Sequence, residues 1–166
     1  MLLEIFALLF LGFAALAVDK PAVVSISPMA PIEAEAGTTV HVQIIATVKD
    51  GYHVQANPPS DEYLIPTKLD LAAPDGIIFG SPVYPIAESH RLQGADQELS
   101  TYSGRFSIDL PITVNSKLTT GNLTLKGSLR YQACDSRRCL PPASVPIDIV
   151  LQLTHANAPA DAQQKH

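Results

Sequence analysis

Along four stretches of the chain, apolar and polar residues alternate with a period of two. Val40, Val42, Ile44, Ala46 and Val48 interleave with His41, Gln43 and Thr47. Phe106, Ile108, Leu110, Ile112 and Val114 interleave with Ser107, Asp109 and Thr113. Leu123, Leu125, Leu129 and Tyr131 interleave with Thr124, Lys126, Ser128 and Arg130, and Val145, Ile147, Ile149, Leu151 and Leu153 with Pro146, Asp148 and Gln152. Successive side chains of a strand point to opposite faces, so each stretch predicts a strand with one buried and one wet face. Weaker strands are predicted at residues 22–27, 67–71 and 77–80. Asp50-Gly51, Pro74-Asp75-Gly76, Ser103-Gly104 and Thr120-Gly121-Asn122 supply turns between them.

Short strands with frequent turns predict an all-β chain, an immunoglobulin-like β-sandwich above all. A jelly roll or small barrel is the alternative architecture. Fourteen prolines, no tryptophan and little helical periodicity point the same way. The segment before the first strand changes this picture only at the end of the chain. Residues 2–17 are almost wholly apolar and finish in Ala15-Leu16-Ala17, a small-x-small pattern that reads as a secretory signal peptide. Glu4, with no Lys or Arg nearby, departs from the usual basic start, and an uncleaved anchor is the other reading. The expectation is a leader over 1–17, one domain over 18–154 and a disordered tail over 155–166. Export implies a compartment that permits disulfides. The formal charge is −5, or −4 without Glu4, and no basic block occurs, which disfavours nucleic-acid binding.

The candidate chemistry lies in Cys134-Asp135-Ser136-Arg137-Arg138-Cys139, which holds both cysteines of the chain. Such a pair can form a small-loop disulfide or work as a reversible dithiol. Closing so short a loop stabilises a fold by only about 2 kcal/mol in the loop-entropy treatment, which favours redox chemistry over stapling. Arg137 and Arg138 directly precede Cys139, and positive charge beside a thiol favours the attacking thiolate. Asp135 should disfavour a thiolate on Cys134; the alternative is that Arg137 pairs with Asp135 and is merely structural. The strand ending at Tyr131 runs into Cys134, and the next strand follows Pro141-Pro142. The cysteines therefore sit on a hairpin-like connection at an edge of the sandwich, within reach of a partner.

These residues resemble a family. Tyr131-Gln132-Ala133-Cys134, closing with Cys139-Leu140-Pro141-Pro142, is similar to the active-site segment of the amino-terminal periplasmic domain of the DsbD thiol:disulfide interchange proteins. Gly51-Tyr52-His53-Val54, Asn57-Pro58-Pro59 and the run from Tyr102 through Phe106 to Ile112 add to the resemblance, which covers about residues 22 to 153. It implies an immunoglobulin-like fold. It also implies transfer of reducing equivalents from a membrane-embedded electron carrier to oxidised periplasmic proteins, namely disulfide isomerases and thioredoxin-like proteins of cytochrome c maturation. By the same resemblance Cys139 would attack the partner disulfide and Cys134 would resolve the mixed disulfide. Three departures accompany it. Four residues separate the cysteines, where the best-studied member has five. The segment matching that member's shielding cap, about residues 88–100, holds His90, Leu92 and Leu99 but no Phe or Tyr. No Cys-x-x-Cys occurs, so the electron donor would act in trans.

Other features have plainer readings. His53 could tune or shield the thiols, or simply be solvated. Tyr52, Tyr63 and Tyr131 could line a docking surface, but packing at a sheet edge suits them better. Cys134, Cys139 and a histidine could hold copper, yet no second ligand pair stands at zinc-like spacing, so neither metal nor cofactor is expected. Asn122-Leu123-Thr124 is a glycosylation sequon only in a host that reads it. Adjacent Asp61 and Glu62 would point to opposite faces of a strand and mark no acid/base pair. The alternative to exchange is a non-enzymatic β-sandwich that binds another protein, with the cysteines as an inert clip.

Overall fold

A computed structural model describes residues 22–155. The predicted leader, and the predicted tail beyond His155, lie outside the described residues. Strand follows strand, with no helix among the described residues. The first sheet holds β1 (Val24–Ile26), β3 (Thr39–Val48), β9 (Arg105–Val114) and β6 (Ile77–Phe79), in that order. The second holds β2 (Ile32–Glu35), β12 (Ala143–Thr154), β10 (Gly121–Tyr131) and β5 (Lys68–Leu71). Pairing is antiparallel except between β2 and β12. Apolar residues from both sheets merge into one core, and the result is the immunoglobulin-like β-sandwich.

The alternation in the sequence explains this packing. In the first sheet Val42 lies opposite Leu110, Ile44 opposite Ile108 and Ala46 opposite Phe106. In the second, Leu125 lies opposite Ile149 and Leu123 opposite Leu151. Ile44, Ile108, Leu125, Leu129, Ile149 and Leu151 are at most 1% exposed. Each such side chain contributes roughly 1.5–3 kcal/mol by leaving water. Close approach matters at one glycine. A Cβ on Gly127 would lie 2.6 Å from Asp70 O and would also meet the Leu71 side chain, so the missing methyl is what lets β5 lie against β10.

A third, smaller sheet crosses one end of the sandwich, in the order β11 (Ala133–Cys134), β4 (His53–Gln55), β8 (Glu98–Tyr102) and β7 (Glu88–Arg91). The pairing of β10 with β12 ends at Tyr131 opposite Ala143. Two residues later the same chain has changed sheets, with Ala133 opposite Val54 and Cys134 opposite His53. Gln132 sits at the switch. Its Oε1 accepts the Ile65 N–H at 3.0 Å, its Nε2 donates to Leu140 O at 3.3 Å, and its own carbonyl accepts the Gln55 N–H at 3.0 Å. These bonds satisfy main-chain groups that would otherwise be stranded where one ladder stops and another starts.

Candidate redox site

Cys134 and Cys139 form a disulfide. Asp135 N–H donates to Arg138 O at 2.9 Å, and Leu140 N–H donates to Ala133 O at 2.7 Å. Between these two bonds the cysteines face each other as a non-hydrogen-bonded cross-strand pair. That is the position in an antiparallel ladder where opposed side chains come closest. The turn of the hairpin, residues 135–138, is shaped by Asp135. Its Oδ1 accepts the Arg137 N–H at 2.7 Å and the Arg138 N–H at 2.9 Å. An Asp that caps the backbone two residues on is a standard way to hold a tight turn. The same two N–H groups keep its carboxyl below the ordinary carboxylate range.

The two cysteines differ in exposure. Cys134 is fully buried, whereas Cys139 is partly exposed at the end of the turn. Arg137 and Arg138 are exposed. The Arg138 guanidinium stands 3.9 Å from Asp135 Oδ2, and Arg137 contributes its main-chain N–H to the turn. The hydrogen-bond donor that reaches the sulfurs is instead Gln55, whose Nε2 lies 3.1 Å from Cys134 Sγ and 3.6 Å from Cys139 Sγ. Sequence reasoning did not single out Gln55. Its one signal is period-two spacing from His53, which places both side chains on the β4 face that Cys134 shares. Tyr131 packs in the core beside Leu129, Tyr52 packs partly against it, and Tyr63 stands 84% exposed.

The hairpin of β7 and β8 closes over the site and occupies the predicted cap segment. His90 stacks on His53 with ring centroids 3.6 Å apart and planes 17° apart. At the hairpin tip, the Gln93 N–H donates to Ser136 O in the redox turn at 2.8 Å. Arg91 binds Glu98 across the hairpin at 2.8 Å, and Ser103 Oγ donates to Glu88 at 2.6 Å. Leu92 is half-buried and Leu99 is buried beneath the ribbon. His53 Nδ1 and His90 Nε2 are buried without a partner. Burial lowers the His53 pKa below its ordinary value, repulsion from His90 adds to this, and Glu88 opposes it. No group of three or more His, Cys, Asp or Glu side chains is arranged to hold a metal ion among the described residues.

The disulfide therefore joins one buried cysteine to one partly exposed one. A thiolate must approach along the S–S axis from the side of the attacked sulfur, and of the two cysteines Cys139 is the one with any exposure. The chain is similar to known proteins of this kind. The family described as thiol:disulfide interchange protein DsbD, N-terminal, matches residues 21–150. No curated protein matches the sequence. Among solved structures, the N-terminal domain of DsbD from Neisseria meningitidis in its reduced form is 19% identical, with a TM-score of 0.44 over 69% of this chain and 79% of that one. AggA, the major subunit of the aggregative adherence fimbriae type I of Escherichia coli, is 15% identical, with a TM-score of 0.45 over 79% of this chain and 94% of that one. With the cysteine hairpin in place and the family matching nearly the whole described domain, the chain belongs to the DsbD N-terminal domain family.

Proposed function

We propose that this protein passes reducing equivalents between proteins by thiol:disulfide exchange at Cys134 and Cys139, after export to the periplasm. A membrane-embedded dithiol donor, acting in trans, reduces the disulfide. The Cys139 thiolate then attacks the disulfide of an oxidised thioredoxin-like protein or disulfide isomerase. Cys134 attacks Cys139 Sγ in the mixed disulfide, which restores the intramolecular bond and releases the partner reduced. Family membership supports exchange chemistry in general, together with thioredoxin-like partners and a periplasmic setting. The observation that carries the assignment of roles is the difference in exposure between the two cysteines. The outer one meets a partner, and the inner one, held directly behind it, resolves.

Trapping tests this. A Cys134→Ala variant keeps the attacking thiol and lacks the resolving one. It should accumulate mixed disulfides through Cys139 with periplasmic thioredoxin-like proteins. The converse variant, Cys139→Ala, should accumulate few. Absence of any trapped partner with the first variant, or equal trapping with both, would overturn the assignment.

A further inference from the structure

We propose that Gln55 is a catalytic residue of this exchange: its carboxamide N–H stabilises Cys134 as the displaced thiolate and so directs incoming thiolates to Cys139. The proposal rests on the exchange reading and adds the group that fixes which sulfur leaves.

Gln55 is a fully buried amide. Its backbone is immobilised on both sides. The N–H donates to Gln132 O at 3.0 Å, and the carbonyl accepts from Thr67 N–H at 3.1 Å and Thr67 Oγ1 at 2.6 Å. The side chain extends from this fixed point to the disulfide, closer to Cys134 than to Cys139. Its Oε1 is buried with no partner. A buried amide with half its bonding capacity unused costs free energy, and such groups concentrate where function requires them. Packing alone would have been served by leucine.

The chemistry explains the arrangement. A thiolate of the donor attacks Cys139 Sγ. A bond forms between the donor sulfur and Cys139, the Cys134–Cys139 bond breaks, and the electron pair of that bond leaves on Cys134 as a thiolate. The donor's second thiolate then attacks its own sulfur in the mixed disulfide and releases the Cys139 thiolate. The donor ends as a disulfide and this protein as a dithiol, reduced by two electrons. In the first step negative charge appears on a sulfur that water does not reach. An unpaired charge there would be strongly disfavoured. A neutral disulfide sulfur is a weak acceptor and a thiolate a strong one, so the Gln55 bond strengthens as the charge develops. That is stabilisation of the transition state over the ground state, by a donor already in place. Among the described residues no other side chain donates a hydrogen bond to either sulfur. The free Oε1 gains a natural partner in the same change of state, because only a reduced site carries an S–H to donate to it.

The test uses the full chain and a small thiol, so it is independent of partner proteins. Oxidised Gln55→Leu should be reduced by dithiothreitol at least tenfold more slowly than the parent. Its equilibrium with dithiothreitol should shift about tenfold toward the disulfide, equivalent to about 30 mV. A residue that merely fills space would change the melting temperature and leave both quantities within twofold, and that result overturns the proposal. A second measurement leaves Gln55 intact. In Cys139→Ala, the thiolate absorbance of Cys134 is followed against pH. Ionisation below the ordinary thiol value of about 8.5 is expected, despite complete burial. A midpoint above that value overturns the proposal. Failure to trap partners in the earlier experiment would remove the exchange reading without altering either of these readouts.

Discussion

The middle of the sandwich and its redox end are built on opposite terms. The middle is made of strands of 10–12 residues whose inward positions are hydrocarbon. The redox end is made of strands of 2–5 residues. The buried polar residues of the described chain, Gln55, Thr67 and Thr101, all belong to that end. So do the three buried polar atoms without a partner, on His53, Gln55 and His90. Burial stabilises in proportion to apolar area, and unpaired polar atoms subtract from it. The molecule therefore holds its stability in one region and tolerates the cost of a reactive site in another. The sheet switch at Gln132 is the join between them.

Three measurements can break or sharpen this contrast. The largest effect should come from the core. Ile44→Ala, opposite Ile108 in a fully buried layer, should lose about 2–5 kcal/mol in denaturant unfolding, while the rate of disulfide reduction under native conditions stays within twofold. A loss under about 1 kcal/mol, below the range for such truncations, would mean that the core is not the store of stability. Opening the disulfide should cost less, about 2 kcal/mol for so small a loop, with a reduction potential above roughly −300 mV. If reduction destabilises more than Ile44→Ala, or the potential lies well below that value, the hairpin is a clip and belongs with the scaffold. The smallest effect should be with pH. Since the His53 pKa is lowered in the folded protein, the unfolded chain takes up the proton first as pH falls. Stability should therefore be constant above about pH 6.5 and decline below it, until the folded-state pKa is passed. Glu88 and His90 face the same ring, so His53→Gln should flatten the decline. A decline unchanged in that variant would locate the proton uptake elsewhere.

The same contrast governs how much could be read from the sequence. The four alternating stretches became β3, β9, β10 and β12, and the three weaker ones became β1, β5 and β6. Long amphipathic strands announce themselves because period two needs several repeats to be seen. His53-Val54-Gln55 is too short for that, and both faces of β4 are covered, Val54 by the core and His53 and Gln55 by His90 and the disulfide, so its burial shows no alternation. Glu88–Arg91 is polar and mostly exposed, and Glu98–Tyr102 buries Leu99, Thr101 and Tyr102 in a run too short and too polar to show a period. The cysteine pair was legible from spacing and flanking charge. Its closest polar neighbour was not, since Gln55 is 79 residues away in sequence and meets Cys134 only through the pairing of β4 with β11. The arginines drew attention as local charges, and the fold commits their main chains to the turn.

The Gln132 junction has a consequence for divergence within the lineage. Each bond there ends on a peptide group of the neighbouring segment, at Ile65, Leu140 and Gln55, and none on a neighbour's side chain. These bonds fix the side chain at neither 65 nor 140, provided the first is not proline, and Leu140 answers instead to the core it packs against. Side chains bordering the join can change without loss of the three bonds that hold it.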